Sequence, residues 1–452
     1  VIMGYNAGDA LTSGFSNVAI GAHALTTEDT GARNVAVGYA ALGNLNYDGN
    51  GNNVAVGYEA GNDLTSGVQN TIVGSNAGDA LTTGSYNVAV GYNSLSVEDT
   101  GGRSVAVGYF TLAKQNYDGA AYNVAVGHNA GQEITTGVNN IVIGGLAADA
   151  LTTGANNVAI GYLSLSTEDE HGRNVAVGAY ALKDQDAGAE GYNVAVGYQA
   201  GYAVTTGTHN VLIGGLAGDS LTAGQYNVAV GYNALAGEDA HGRNIAIGTN
   251  ALTALDAGAD AYNVAIGHNA GLSVSTGTYN NIIGGLAGDA LTTGGFNVAM
   301  GYAALGAEDT GSRNVAIGHS ALTALNYDGA GYNVAIGYDA GKAVTTGIYN
   351  TLIGSQAGDA LTTGQRNTAI GYNALGAEDE HSYCVAVGYQ ALLRQNAGAN
   401  TYNVAMGYDA GQDVTTGVNN TIIGGSAGYS LTTGSYNTAL GYRALYSEDT
   451  DG

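Results

Sequence analysis

The sequence predicts an all-β protein, an elongated β-solenoid or β-roll of about 26 rungs, and three observations carry that prediction. The motif N-V-A-[VI]-G recurs at spacings of 17, 19, 17 and 17 residues, beginning at Asn17, Asn34, Asn53, Asn70 and Asn87, and the spacings repeat as a 70-residue superrepeat up to Asn437. Inside each copy the residues alternate with the period of a strand, as in Asn123-Val124-Ala125-Val126-Gly127. The alphabet is biased: of 452 residues 76 are Gly and 32 are Tyr, while Pro and Trp are absent. Such a composition suits an array of stacked units better than several separate cores.

Six full superrepeats span 17–436 with a partial unit at each end, so 1–452 reads as a single repetitive shaft. Val1 falls inside a motif copy, which predicts an internal segment of something longer. A rung of 17 to 19 residues accommodates two strands of about five residues and two turns. Stacked at roughly 4.8 Å per rung, such units would build a rod on the order of 125 Å long.

Strand alternation puts Val124 and Val126 on one face, where β-branched residues pack as a layer, and Ala125 and Gly127 on the other. The motif Gly, as at Gly21, Gly38, Gly57, Gly74 and Gly91, is present in all 26 copies, which marks close backbone approach or a bend. Asn holds its position in 23 of the 25 copies where it can be read, with Ser104 and Cys384 as exceptions; in a solenoid it would stack as an amide ladder at a turn. In every fourth copy Ala becomes Ile72, Val142, Leu212, Ile282, Leu352 or Ile422 as the usual Tyr becomes Ser or Gly. This exchange of bulk predicts that both strand faces are covered, one by the chain itself and one by another chain.

The formal charge of −26 disfavours nucleic acid and anionic membrane as partners and leaves cations and basic surfaces open. No run approaches the roughly 18 apolar residues needed to cross a bilayer. One Cys excludes an intrachain disulfide framework, and no phosphate-binding loop, dinucleotide fingerprint or zinc spacing is present.

The pairs Glu28-Asp29, Glu98-Asp99, Glu168-Asp169, Glu238-Asp239, Glu308-Asp309, Glu378-Asp379 and Glu448-Asp449 recur once per superrepeat, whereas a catalytic carboxylate pair is normally unique. With Arg33, Arg103, Arg173, Arg243 and Arg313 a few residues on, a solvated turn or surface ion pair is the simpler account, with cation binding as the alternative. Asp79, Asp149, Asp219 and Asp289, in turns such as "AGDALTTG", are the candidate Ca²⁺ ligands, against a plain turn-forming role. His171, His241 and His381 share a phase at least 70 residues apart, too far to share a metal within one chain, although three chains around an axis could bring symmetry mates together. His128 and His268 stand in the Tyr column, which includes Tyr39, Tyr58, Tyr92, Tyr109, Tyr162, Tyr198 and Tyr232 and offers a possible surface for sugars or proteins. Cys384 reads as a small replacement for Asn, without the paired base a nucleophile needs.

"NTAIGYNAL" at Asn367 to Leu375, "NTALGYRAL" at Asn437 to Leu445 and the linking "LTTGSYN" resemble the repeats of bacteriophage tail-fibre proteins that end in an intramolecular chaperone of the endosialidase type. The core N-[VT]-A-[VIML]-G is also similar to the head repeats of trimeric autotransporter adhesins, whose repeats are shorter than the 17 and 19 residues here. The resemblance implies a parallel homotrimer in an extracellular setting, on a virion fibre or a bacterial surface. Its expected role is a structural or adhesive shaft, not an enzyme, with no required cofactor and with a cell-surface glycan or protein as a possible partner. The alternative reading is a monomeric solenoid that binds an extended surface, ice or polysaccharide, through Thr-rich "LTTG" turns.

Overall fold

The computed structural model describes residues 1–447, so Glu448-Asp449 lie outside the described residues. The chain divides into two compact units, Val1–Tyr226 and the remainder from Asn227. Each is a parallel β-solenoid. The first carries the strands from Ile2–Met3 and Val18–Ile20 to Val211–Ile213, and the second those from Val228–Val230 to Thr438–Leu440. Within each unit a strand pairs in parallel with the next one in sequence, like residue on like: Ala19 lies beside Ala36, Ala36 beside Ala55, and Ala246 beside Ala265.

A rung contains one three-residue strand, not the two longer ones that its length allows. The remainder is a run of tight turns, closed by bonds such as Ala24 N–H to Gly21 O (3.3 Å) and tied to the next rung by bonds such as Leu25 N–H to Ala41 O (3.0 Å). These turns need left-handed corners. Leu25 (φ 51°) and Leu42 (φ 49°) occupy the corner in two rungs of a superrepeat, Gly61 (φ 56°) and Gly78 (φ 48°) in the other two. A bulky residue in that region costs about 1–2 kcal/mol, which burial of the Leu side chain offsets.

The strand turns its Ala face inward, which the alternation in the sequence leaves open. Ala125 is wholly buried, whereas Val124 is half-buried and Val126 is 37% exposed. A 17-residue rung encloses a narrow interior that strand Ala residues share with Ala60, Leu64, Ala77 and Leu81, all wholly buried. Small residues fit there and a row of Val does not. The outward Val face is therefore not covered by a second strand of the same chain.

Of the exchange seen in the fourth copy, only the bulky residue lies in this core, the Tyr column being exposed, and its compensation is at the corner glycines. A Cβ on Gly61 would lie 2.8 Å from Ile72 Cδ1, and one on Gly218 the same distance from Leu212 Cδ2. The large inward residue thus fills the space that Leu occupies in the other rungs. Ala148 (φ 43°) replaces the corner Gly in one superrepeat, and there the inward residue is the smaller Val142.

The motif glycines form a column in which backbone meets backbone. A Cβ on Gly38 would stand 2.1 Å from Gly57 O, one on Gly57 2.3 Å from Gly74 O, and one on Gly21, Gly74 or Gly91 2.1–2.4 Å from the next glycine carbonyl; φ runs from 127° to 149° at these five. No other residue satisfies both the contact and the dihedral.

The Asn column beside it works through the backbone more than through amide–amide pairs. Asn17 Oδ1 accepts the Asn34 N–H (2.9 Å), Asn34 Oδ1 the Asn53 N–H (3.1 Å), Asn53 Oδ1 the Asn70 N–H (2.9 Å) and Asn70 Oδ1 the Asn87 N–H (2.9 Å). The Nδ2 of Asn17, Asn53, Asn70 and Asn87 donates to the carbonyl 14 residues ahead, at 2.8–3.0 Å. Where Ser104 interrupts the column, Gln115 Nε2 bonds its hydroxyl (2.9 Å) and Gln115 Oε1 accepts from Asn123 Nδ2 (2.8 Å).

Gly57→Ala places a methyl group against a carbonyl that cannot withdraw without breaking the stack. Its cost is expected to exceed about 2 kcal/mol, read as a lowered urea midpoint, whereas Gly188→Ala, with open space around its Cβ, is expected to cost about 1 kcal/mol from its φ of 62° alone.

Candidate functional site

The polar feature that the structure changes most is the Glu–Asp turn. Glu28, Glu98, Glu168, Glu238, Glu308 and Glu378 are wholly buried, not solvated as the sequence suggests. Each carboxylate closes its own turn: Glu28 Oε1 accepts the Gly31 N–H (2.7 Å), and Oε2 accepts the Tyr47 N–H of the next rung (3.3 Å). Glu308 does the same with Gly311 (2.7 Å) and Tyr327 (3.4 Å). In the turns that carry His, the amides of His171, His241 and His381 bond Oε1 at 3.0–3.2 Å. Burial pushes all six carboxyls above the usual range, and Glu308 rises to about 7.

The arginines that follow lie in a second aromatic column that sequence reasoning missed. Arg103 Nη1 donates to Tyr122 Oη (2.7 Å) and its guanidinium lies 5.4 Å from the Tyr86 ring centre. The second unit has a column of the same kind, with Tyr262, Tyr279 and Phe296 stacked (5.3 and 5.0 Å), then Arg313, then stacked Tyr332 and Tyr349 (5.4 Å). Ion pairs of Arg173 and Arg243 go to Glu190 (3.8 Å) and Asp260 (2.9 Å), outside the Glu–Asp pairs. The signal was available: this residue directly precedes the motif Asn and is Tyr, Arg, His or Phe in most copies.

The Tyr column singled out from the sequence follows the motif Gly. Tyr39 and Tyr58 stack at 5.3 Å, Tyr92 stacks on Tyr109 (5.5 Å), and His128 continues that stack (5.2 Å). Tyr162 meets Tyr180 edge-on, and Tyr232 is exposed. The column is broken wherever the fourth copy substitutes Ser or Gly, so it forms separate aromatic patches.

Asp79, Asp149, Asp219 and Asp289 are half-buried, and desolvation raises each carboxyl above its ordinary pKa. None of the four belongs to a cluster of three or more metal-capable side chains among the described residues. His171, His241 and His381 do belong to such clusters, within one chain and beside the buried Glu of their own turn. Cys384 is buried against Thr401, and burial pushes its thiol up to about 12, far from a thiolate nucleophile at neutral pH.

The arrangement defines a repetitive parallel β-solenoid with buried acidic turns and exposed aromatic columns. No helix among the described residues is long and apolar enough to cross a membrane. Compared with protein families, with curated proteins and with solved structures, the chain matches none.

Because the buried carboxyls titrate higher in the folded chain than in the unfolded one, folding takes up protons, and this contribution is full below the unfolded value of 4.5 and lost as pH rises through about 7 for Glu308. The thermal midpoint is expected to rise between about pH 8 and about pH 5.5, and Glu308→Gln to reduce that rise. A midpoint that falls over the same interval contradicts the assignment.

Proposed function

We propose that this chain is a structural and adhesive fibre shaft, a parallel homotrimer that projects a receptor-binding tip from a phage virion or a bacterial surface. One observation carries the reading. The last residue of every strand, from Met3, Ile20 and Val37 to Met406, Ile423 and Leu440, is Val, Ile, Met or Leu, and not one of them is buried. An aliphatic row on the open side of a sheet, repeated in every rung, is a surface that exposure to water penalises. Its repeat is that of the chain itself, so a parallel copy of the same chain presents a matching row at each level. The resemblance to tail-fibre and adhesin repeats supports the same assembly. Shaft function needs no catalytic residue; rigidity comes from the continuous ladders, and any contact through the aromatic columns is multivalent.

The ice or polysaccharide reading receives less support. Hydroxyls of Thr65 and Thr82 donate to Thr82 O and Asp99 O of the next rung (both 3.1 Å), so the Thr rows serve the stack, and Asp interrupts them.

Sedimentation of the folded chain is expected to give three times the 45.0 kDa of one chain. Ile143→Lys together with Ile283→Lys, on the outward row, is expected to dissociate the assembly while the far-ultraviolet spectrum stays that of β-structure. A wild-type mass of one chain contradicts the proposal.

A further inference from the structure

The six described Glu–Asp turns fall into two kinds that differ at several positions together. Those at Glu28, Glu98 and Glu308 continue with Thr-Gly and face Tyr-Asp-Gly in the next rung, as in Thr30-Gly31 and Tyr47-Asp48-Gly49. Those at Glu168, Glu238 and Glu378 continue with His171, His241 or His381 and face Ala-Gly, as in Ala187-Gly188. Sterics link the changes. A Cβ at Gly31 would lie 2.4 Å from both Glu28 Oε1 and Tyr47 O, so a side chain at this place requires a different loop opposite.

The exchange alters the carboxylate. In the Thr-Gly turns Oε2 receives the N–H of the facing Tyr, at 3.3–3.4 Å. In all three His turns Oε2 is buried and has no hydrogen-bond partner, on a Glu that is wholly buried. The Ala187 amide that replaces that of Tyr47 still favours the Glu168 carboxylate electrostatically, but it lies outside hydrogen-bond geometry. An orphaned buried carboxylate oxygen costs stability unless another group meets it.

The arriving side chain is a ligand. His171, His241 and His381 hold Nδ1 at 3.5, 3.4 and 2.9 Å from Oε1 of their Glu, and the Nδ1 atoms of His171 and His241 are buried without a hydrogen-bond partner. Asp169, Asp239 and Asp379 complete each cluster, Asp186 adds a fourth group to the first, and the donor atoms lie within 4.8 Å of one another. Ligands at about 2.1 Å around a tetrahedral Zn²⁺ are about 3.4 Å apart, close to the Nδ1–Oε1 separations of the first two turns.

We propose that each His turn is a binding site for one divalent first-row transition ion of the Zn²⁺ class, held by the imidazole Nδ1, the buried Glu carboxylate and the adjacent Asp. The mixed nitrogen and oxygen donor set favours such an ion over Ca²⁺, which takes oxygen ligands in larger number. Bound there, the ion joins His171 Nδ1 to the buried Glu168 carboxylate. Through Asp186 it also clips two rungs together in the first site, which makes that site the tightest of the three.

The test is equilibrium dialysis of the chelator-stripped full chain against micromolar Zn²⁺ at physiological salt with excess Mg²⁺. The expected result is three Zn²⁺ per chain, with His171→Gln, His241→Gln and His381→Gln each removing one and weakening that site at least about tenfold. Glu168→Gln, which keeps the shape of the turn, is expected to remove the same ion as His171→Gln, and circular dichroism shows that each variant is folded. No uptake, or uptake unchanged in all three His variants because exposed histidines such as His128 take the metal, overturns the proposal.

Discussion

Every position in this chain must tolerate its own equivalent one rung away, at about 4.8 Å. That constraint is tightest at the motif glycines, where any added Cβ meets the next glycine carbonyl at 2.1–2.4 Å in the first superrepeat. The Asn column depends on the same spacing, since Oδ1 of one residue reaches the backbone N–H of the next only when consecutive rungs stay in register. Stacking also explains the core. A narrow coil closed by left-handed corners leaves room for Ala on most strands and Leu in the turns, and the Val and Ile that flank the strand Ala face outward.

Within that constraint the rungs differ, and each difference is matched nearby. Ile72 enlarges the strand where Gly61 and Gly78 empty the corners, and Val142 shrinks when Ala148 fills one. Gln115 reaches across to Ser104 where the Asn column lapses. The His turns fit the same pattern with one exception. The loop opposite gives room for the imidazole, yet the carboxylate loses its second hydrogen bond and regains none from the protein.

The period, the place of the motif strand, the parallel array and the need for Gly were legible because they depend on spacing alone, whereas the second strand expected in each rung is a run of turns. Which strand face lies inside was not. Alternation separates Val124 and Val126 from Ala125 but carries no sign, and the usual preference for burying Val fails in rungs whose corner Leu leaves room only for Ala on the strand. The acidic turns misled for a related reason: Glu beside Asp among Gly and Thr looks solvated, and only the fold shows that the turn closes around Glu28. Of the candidate site, the exposed Tyr patches were visible in the sequence. The Arg–aromatic column was overlooked because its residues vary between Tyr, Arg, His and Phe while sharing a position. The His clusters were missed because His171 was compared with distant histidines and not with Glu168, three residues away.

In-register stacking is tested most directly by pulsed electron resonance distances between nitroxides on the outward row of the first unit. One label is fixed at Val37 and the second is moved through Val107, Val126, Ile143, Ile160 and Val177. The account predicts a distance that grows by about 4.8 Å with each rung. Distances that fail to grow in even steps, or that alternate as the label moves, would show that these residues do not form one column and would contradict it.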